Sequence, residues 1–214
     1  MPGSATLPGL VAWIGAWRQR VETEATYLTE LDGAIGDGDH GINLRRGLIA
    51  GDDALTAAVE SGHLVAGDKA LQQVAMSLIS KIGGASGPLY GTMFLRMADG
   101  LGPELDTPEF ARALRRGLDG LCARGKASSG DKTMIDALAP AVEAMESAAS
   151  AGQTLRAALA QAAQAAAGGR DATKPLQARR GRASYLGERS IGHIDPGAAS
   201  MALLIEAAAA TLGA

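Results

Sequence analysis

Leu10, Val11, Ile14, Trp17, Val21 and Leu28 recur at spacings of three, four and seven residues, which places them on one face of an α-helix. This period predicts a helix from about Leu7 to Leu31. Between glycine-dense breaks, further helices are expected over about Ile42 to Val59, Asp68 to Ile82, Pro88 to Asp99, Glu109 to Arg124, Thr133 to Ala149, Thr154 to Ala167 and, after Pro196, Gly197 to Leu212. The composition says how such helices pack. Alanine supplies 44 of 214 residues, while Phe, Trp and Tyr together supply seven. Alanine has the highest helix propensity, and small side chains let helices approach closely. Large aromatic side chains are too few to dominate the core, and few strand-favouring residues are available for a sandwich or β-barrel. The expectation is all-α, a single domain over residues 1–214 with about eight helices and no internal repeat.

Several function classes fall away at once. A formal charge of −3 and a pI near 5.6 give no global basic field, so no direct nucleic-acid partner is expected. The single cysteine, Cys122, can make neither an intramolecular disulfide nor a thiolate zinc site. Met1 to Pro8 lack the basic-then-apolar pattern of a signal peptide, and no 18-residue apolar run is present, so no membrane partner and a cytoplasmic location are expected.

Chemistry concentrates in the breaks. In Leu31-Asp32-Gly33-Ala34-Ile35-Gly36-Asp37-Gly38-Asp39-His40-Gly41, three carboxylates fall within eight residues that turn easily. Two like charges about 5 Å apart repel by roughly 3 kcal/mol at an effective dielectric near 20. Bringing three together calls for a cation or for protonation, and all-oxygen ligands favour Mg²⁺ or Ca²⁺ over zinc. A solvated acidic loop is the bland alternative. The dinucleotide pattern Gly36-x-Gly38-x-x-Gly41 is rejected because a helix precedes it, and an EF-hand from Asp37 fails at its twelfth position, Leu48.

Three other breaks can meet an anion. Gly83-Gly84-Ala85-Ser86-Gly87-Pro88 opens a helix, where backbone amides and the Ser86 hydroxyl can donate to a phosphate; a tight helix-helix turn is the plainer reading. Gly125 to Thr133 looks like a phosphate loop with one residue too many and no preceding strand. Gly168 to Gly192 reads as a long basic loop, in which Arg182 can clamp a phosphate, and Asp195 stands where it can cap the last helix. His40 and His193 lie in glycine-rich loops, whereas His63 lies in an ordinary polar one. Acidic ligands, amide-rich turns and a basic flap together suit a Mg-nucleotide. No nucleophile-base set is apparent.

Ile35 to Gly41, Gly83 to Leu95, Gly130 to Leu138 and Gly181 to Ser200 resemble, in order and across nearly the whole chain, the L subunit of dihydroxyacetone kinase, the nucleotide-binding domain also fused within single-chain kinases of that type. The resemblance implies a barrel of about eight antiparallel helices with the nucleotide held by loops at one end. It further implies that Asp32, Asp37 and Asp39 hold two Mg²⁺ ions, and that His40, Gly41, Asn43, Ala85, Ser86, Gly130, Met134, Arg182, Asp195 and Gly197 line the ADP or ATP pocket. No catalytic residue is assigned beyond a role for Arg182 in closing the flap. Ile42 departs from the small or hydroxyl residue common in the family, and Ser129 from a frequent proline.

The implied activity is phosphoryl transfer to dihydroxyacetone bound by a separate K subunit, which supplies the base. A free-standing L chain favours the phosphotransferase-system branch, with ADP rephosphorylated by a phosphohistidine of an M subunit. Alternatives are the L subunit of an ATP-dependent kinase for another short ketose, and a regulatory nucleotide-bound module docking on a transcription regulator. A homodimer is among the assemblies compatible with the sequence.

Overall fold

A computed structural model describes residues 7–64, 66–102 and 104–213. The stretch 1–6, on which most of the signal-peptide reading falls, lies outside them. Among the described residues eight α-helices follow in order: α1 Leu7–Ile35, α2 His40–Glu60, α3 Gly67–Lys81, α4 Ser86–Ala98, α5 Thr107–Gly125, α6 Ile135–Ser150, α7 Leu155–Ala172 and α8 Pro196–Thr211. A 3-10 segment, Arg182–Ser190, is kinked at Gly187 (φ 56°) between α7 and α8. No strand occurs among the described residues. The all-α expectation holds.

Each helix packs on the one before and the one after it, and α8 closes against α1, which makes the ring of the expected barrel. The connections alternate between its ends. Those after α1, α3, α5 and α7 meet around one cavity. At the other end the Thr107 hydroxyl, entering α5, donates to the Gln153 carbonyl before α7 at 2.9 Å.

Local chemistry explains the helix starts. The Asp106 side chain accepts from the Glu109 amide, with Pro108 in the first turn; Thr154 accepts from Ala157, and Asp195 from Ala198, with Pro196 beginning α8. Pro140 inside α6 has no amide to offer the Asp136 carbonyl. There Gly169 lets α7 approach: a Cβ on it would stand 2.2 Å from that carbonyl oxygen.

One expectation about the connections needs correction. Gly168 and Gly169 belong to α7, not to a loop, so the basic connection is shorter than the sequence suggested. The aromatic residues, though few, are central: Trp13, Trp17, Tyr90, Phe94 and Phe110 are buried together with ring centroids 5.1 to 5.9 Å apart. Alanine lets the helices close in, and five rings fill the space that small side chains leave. Among the described residues no helix is long and apolar enough to cross a membrane.

Candidate functional site

The alternating connections enclose a cavity of about 520 Å³. Its acidic wall is built from the α1–α2 junction. Asp32 is not in a loop, as read from sequence, but in the last turn of α1, and it is buried. Its Oδ2 accepts from the Asp39 amide at 2.9 Å and the His40 amide at 3.1 Å. Asp32 thus satisfies the start of α2, a task that normally falls to the N-cap side chain. The N-cap residue is Asp39, and its own carboxylate makes no capping bond. It is left free for other work.

Glycine permits this arrangement. Gly38 turns the chain with φ +72°, and a Cβ on Gly36 would fall 2.1 Å from Asp32 Oδ1. Carboxylate oxygens of Asp32, Asp37 and Asp39 then lie within 4.8 Å of one another, Asp32 buried and the other two exposed. Three acceptors at that separation, one already fixed by backbone amides, suit a hard divalent cation. The guanidinium of Arg182 pairs with Asp37 across the cavity, so the basic flap and the acidic junction face each other.

The adjoining wall combines Gly83, Gly84, Ala85 and Ser86 with the start of α4, where free backbone amides gather. Ser86 Oγ lies 3.2 Å from His40 Nδ1, and His40 Nε2 lies 2.8 Å from Ser200 Oγ. Burial pushes the His40 imidazolium below its ordinary pKa. Pro88, Leu89, Leu121 and Met134 add an apolar side to the cavity.

The α5–α6 connection is held by its own carboxylates. Asp136, in the first turn of α6, accepts from the Gly130 amide and, at 2.7 Å, from the Thr133 amide. Asp131 accepts from Ser128 and pairs with Arg180 at 3.6 Å. Lys132 is buried, and its ammonium donates to the carbonyls of Thr173, Leu176 and His193. Burial lowers its pKa. Asp195, buried nearby, has its carboxyl pushed up to about 7, chiefly by loss of water.

Of the residues singled out from sequence, Asp32, Asp37, Asp39, His40, Asn43, Ala85, Ser86, Met134, Arg182, Asp195 and Gly197 line this cavity. Gly41 and Gly130 do not. Gly41 faces α1, where a Cβ would come within 2.1 Å of the Ala25 carbonyl, and Gly130 spends its amide on Asp136. Lys132, Leu89 and Leu121 line it without having been singled out. Leu89 and Leu121 read as core residues on helical periods. Lys132 had a signal, its place beside Gly130 in the phosphate-loop-like stretch, but the missing strand led away from it.

The family model of the DAK2 domain matches residues 34–210. The PEP-dependent dihydroxyacetone kinase 1, ADP-binding subunit DhaL, of Listeria innocua is 43% identical, over 91% of this chain and 91% of that one. The PTS-dependent dihydroxyacetone kinase, ADP-binding subunit DhaL, of Lactococcus lactis is 41% identical, over 94% and 95%. Among solved structures, the dihydroxyacetone kinase from C. freundii in complex with AMP-PNP and Mg²⁺ superposes with a TM-score of 0.69 at 24% identity, covering 98% of this chain and 35% of that one. At that identity the likeness establishes the all-helical fold.

Proposed function

The chain belongs to the DAK2 domain family, and from that membership we propose that it is the ADP-binding subunit of a dihydroxyacetone kinase, a phosphotransferase acting with a partner subunit. The observation that carries the reading is the cavity itself. Three clustered carboxylates stand beside an amide-rich helix start and opposite the guanidinium of Arg182. A nucleoside diphosphate is matched by that combination: cation ligands, neutral donors and a guanidinium.

Asp32, Asp37 and Asp39 would hold Mg²⁺, which supplies the charge that neutralises phosphate oxygens as the phosphoryl group moves. The family resemblance implies two ions there. The chain's own work is to bind and orient. Backbone amides from Gly83 to Ser86 would face the phosphates, and the apolar side at Leu89, Leu121 and Met134 would receive the base. Arg182 would leave Asp37 for a phosphate oxygen when nucleotide enters, since a cation held by Asp37 removes the reason for their pairing. The ketose and the base that deprotonates it would belong to a separate K subunit, as the family resemblance implies.

The PEP- and PTS-dependence in the names of the two relatives favours ADP as a resident cofactor, rephosphorylated in place by the phosphohistidine of an M subunit. The cytoplasmic location read from the sequence belongs to the same proposal. Purifying the protein with Mg²⁺ and identifying the nucleotide it retains tests the reading. Stoichiometric ADP surviving gel filtration is the expected result. Rapid exchange with ATP would point instead to an ATP-dependent two-subunit kinase. Absence of any nucleotide binding with Mg²⁺ present overturns the proposal.

A further inference from the structure

His40 is held at both ends. Its backbone amide donates to Asp32 Oδ2 at 3.1 Å, and its ring lies between two hydroxyls, Nδ1 3.2 Å from Ser86 Oγ and Nε2 2.8 Å from Ser200 Oγ. His40 therefore ties the acidic junction to the amide-rich start of α4. Ser200 Oγ in turn lies 2.8 Å from the Tyr90 hydroxyl and 3.1 Å from the Gly197 carbonyl in the first turn of α8.

The four side chains make a closed bracket. Ser86 and Tyr90 stand one helical turn apart on the same face of α4 and grip the pair formed by His40 of α2 and Ser200 of α8. His40, Ser200 and Tyr90 are buried, and neither Ser200 nor Tyr90 lines the cavity. The grip does not depend on where the hydrogens sit. A hydroxyl both donates and accepts, so each ring nitrogen finds a partner whether or not it carries a proton. Both nitrogens are spent on serines, which makes the ring a strut between helices. Burial stiffens it, because a polar atom stranded there has no water to turn to.

We propose that Ser200 and Tyr90 are positioning residues: through the His40 ring they fix the first turn of α4, and with it the amides of the anion-facing wall, at a set distance from Asp32, Asp37 and Asp39. Neither touches the nucleotide. Both act on how accurately the amides meet its phosphates, and small misplacements of such donors are costly. That the amides face phosphates rests on the function proposed above. The bracket's hold on the turn does not.

Two measurements on the full chain test this. The first, without nucleotide, follows hydrogen exchange at the Leu89 amide, which donates to the Ala85 carbonyl at 3.1 Å and so reports fraying of the turn. The second measures Mg²⁺-ADP affinity by calorimetry. Ser200→Ala should speed the exchange and weaken ADP binding, each by about tenfold, the effect of one hydrogen bond lost from a buried group. Tyr90→Phe should move both in the same direction by less. Leu159→Ala truncates the core in α7, outside the bracket, and should lower the melting temperature while leaving ADP affinity unchanged, which separates positioning from loss of stability. A Ser200→Ala protein with wild-type exchange or wild-type affinity overturns the proposal. The close approach at Gly87, where a Cβ would fall 2.6 Å from the Ile82 carbonyl, would then hold the turn alone. Should Ser200→Ala not fold, wild-type values in Tyr90→Phe overturn it equally. If the wild type binds no nucleotide, the ADP reading fails by itself, and the exchange rates still decide whether the bracket holds the turn.

Discussion

The ammonium of Lys132 lies 2.9 Å from the backbone carbonyl of Thr173, so a positive charge from the α5–α6 connection is buried at the C-terminal end of α7. Cations are favoured there because the last carbonyls of a helix point outward without partners. The same nitrogen reaches Leu176 at 3.1 Å and also His193, which tethers both ends of the segment carrying Arg182. Lys132→Met keeps the apolar stem and removes the donor, stranding three carbonyls. The expected cost is about 2–4 kcal/mol in urea unfolding, with new protease cleavage between residues 174 and 192. A variant as stable as wild type and equally resistant would show that water replaces the ammonium without loss.

The sequence made some of this visible and hid the rest for identifiable reasons. The helical stripe through Leu10 and Val21 and the cap at Asp195 are local signals, and both appear where expected. The triad of Asp32, Asp37 and Asp39 is visible because all three lie within eight residues. That Asp32 belongs to α1, and serves α2 as a cap so that Asp39 does not, depends on how two helices meet. Lys132 is harder still. Its partners lie over 40 residues away in sequence, and a lysine beside Gly130 reads as exposed or phosphate-binding rather than as a buried strut.

Two adjacent glycines separate propensity from packing. Both Gly168 and Gly169 lie in α7. A Cβ on Gly168 meets nothing within 4 Å, whereas one on Gly169 would fall 2.2 Å from the Asp136 carbonyl and 2.8 Å from Pro140. Gly168→Ala should therefore stabilise by about 0.5–1 kcal/mol through the unfolded chain. Gly169→Ala should destabilise by about 1–3 kcal/mol as α7 is forced off α6. Urea titration followed by circular dichroism reads both. Equal effects of one sign would mean that the close approach at Pro140 is not rigid.

The three aspartates should divide by role when Mg²⁺ and ADP are withheld. Asp37 and Asp39 are exposed and crowd each other's charge, and the solvent-exposed pair of Asp37 with Arg182 is worth little, so Asp37→Asn and Asp39→Asn should be no less stable than wild type in the metal-free protein. Asp32→Ala leaves the amides of Asp39 and His40 without their acceptor and should lose about 1–3 kcal/mol. Added together, Mg²⁺ and ADP should stabilise wild type by about 2.7 kcal/mol at a hundred times the dissociation constant. Asp37→Asn should show none of this gain and retain its helical spectrum. Thermal shifts with and without the ligands check all four statements. A full ligand shift in Asp37→Asn contradicts its role in holding the cation.

Asp195 gives the metal-free chain a pH dependence of defined sign. Its buried carboxyl has a pKa near 7, against about 4 in an unfolded chain. The folded state therefore holds one proton more than the unfolded state across that interval. The favourable contribution is complete below about pH 4 and is lost as pH rises through 7, by at most about 1.4 kcal/mol for each pH unit. Asp195→Asn keeps an oxygen to accept from the Ala198 amide, 2.7 Å away in wild type, and has no proton to lose. Relative to wild type, the variant should gain in melting temperature between pH 5 and pH 8. A difference that stays constant, or narrows, across that range would mean that water or Lys132 keeps the carboxylate ionised in the folded protein.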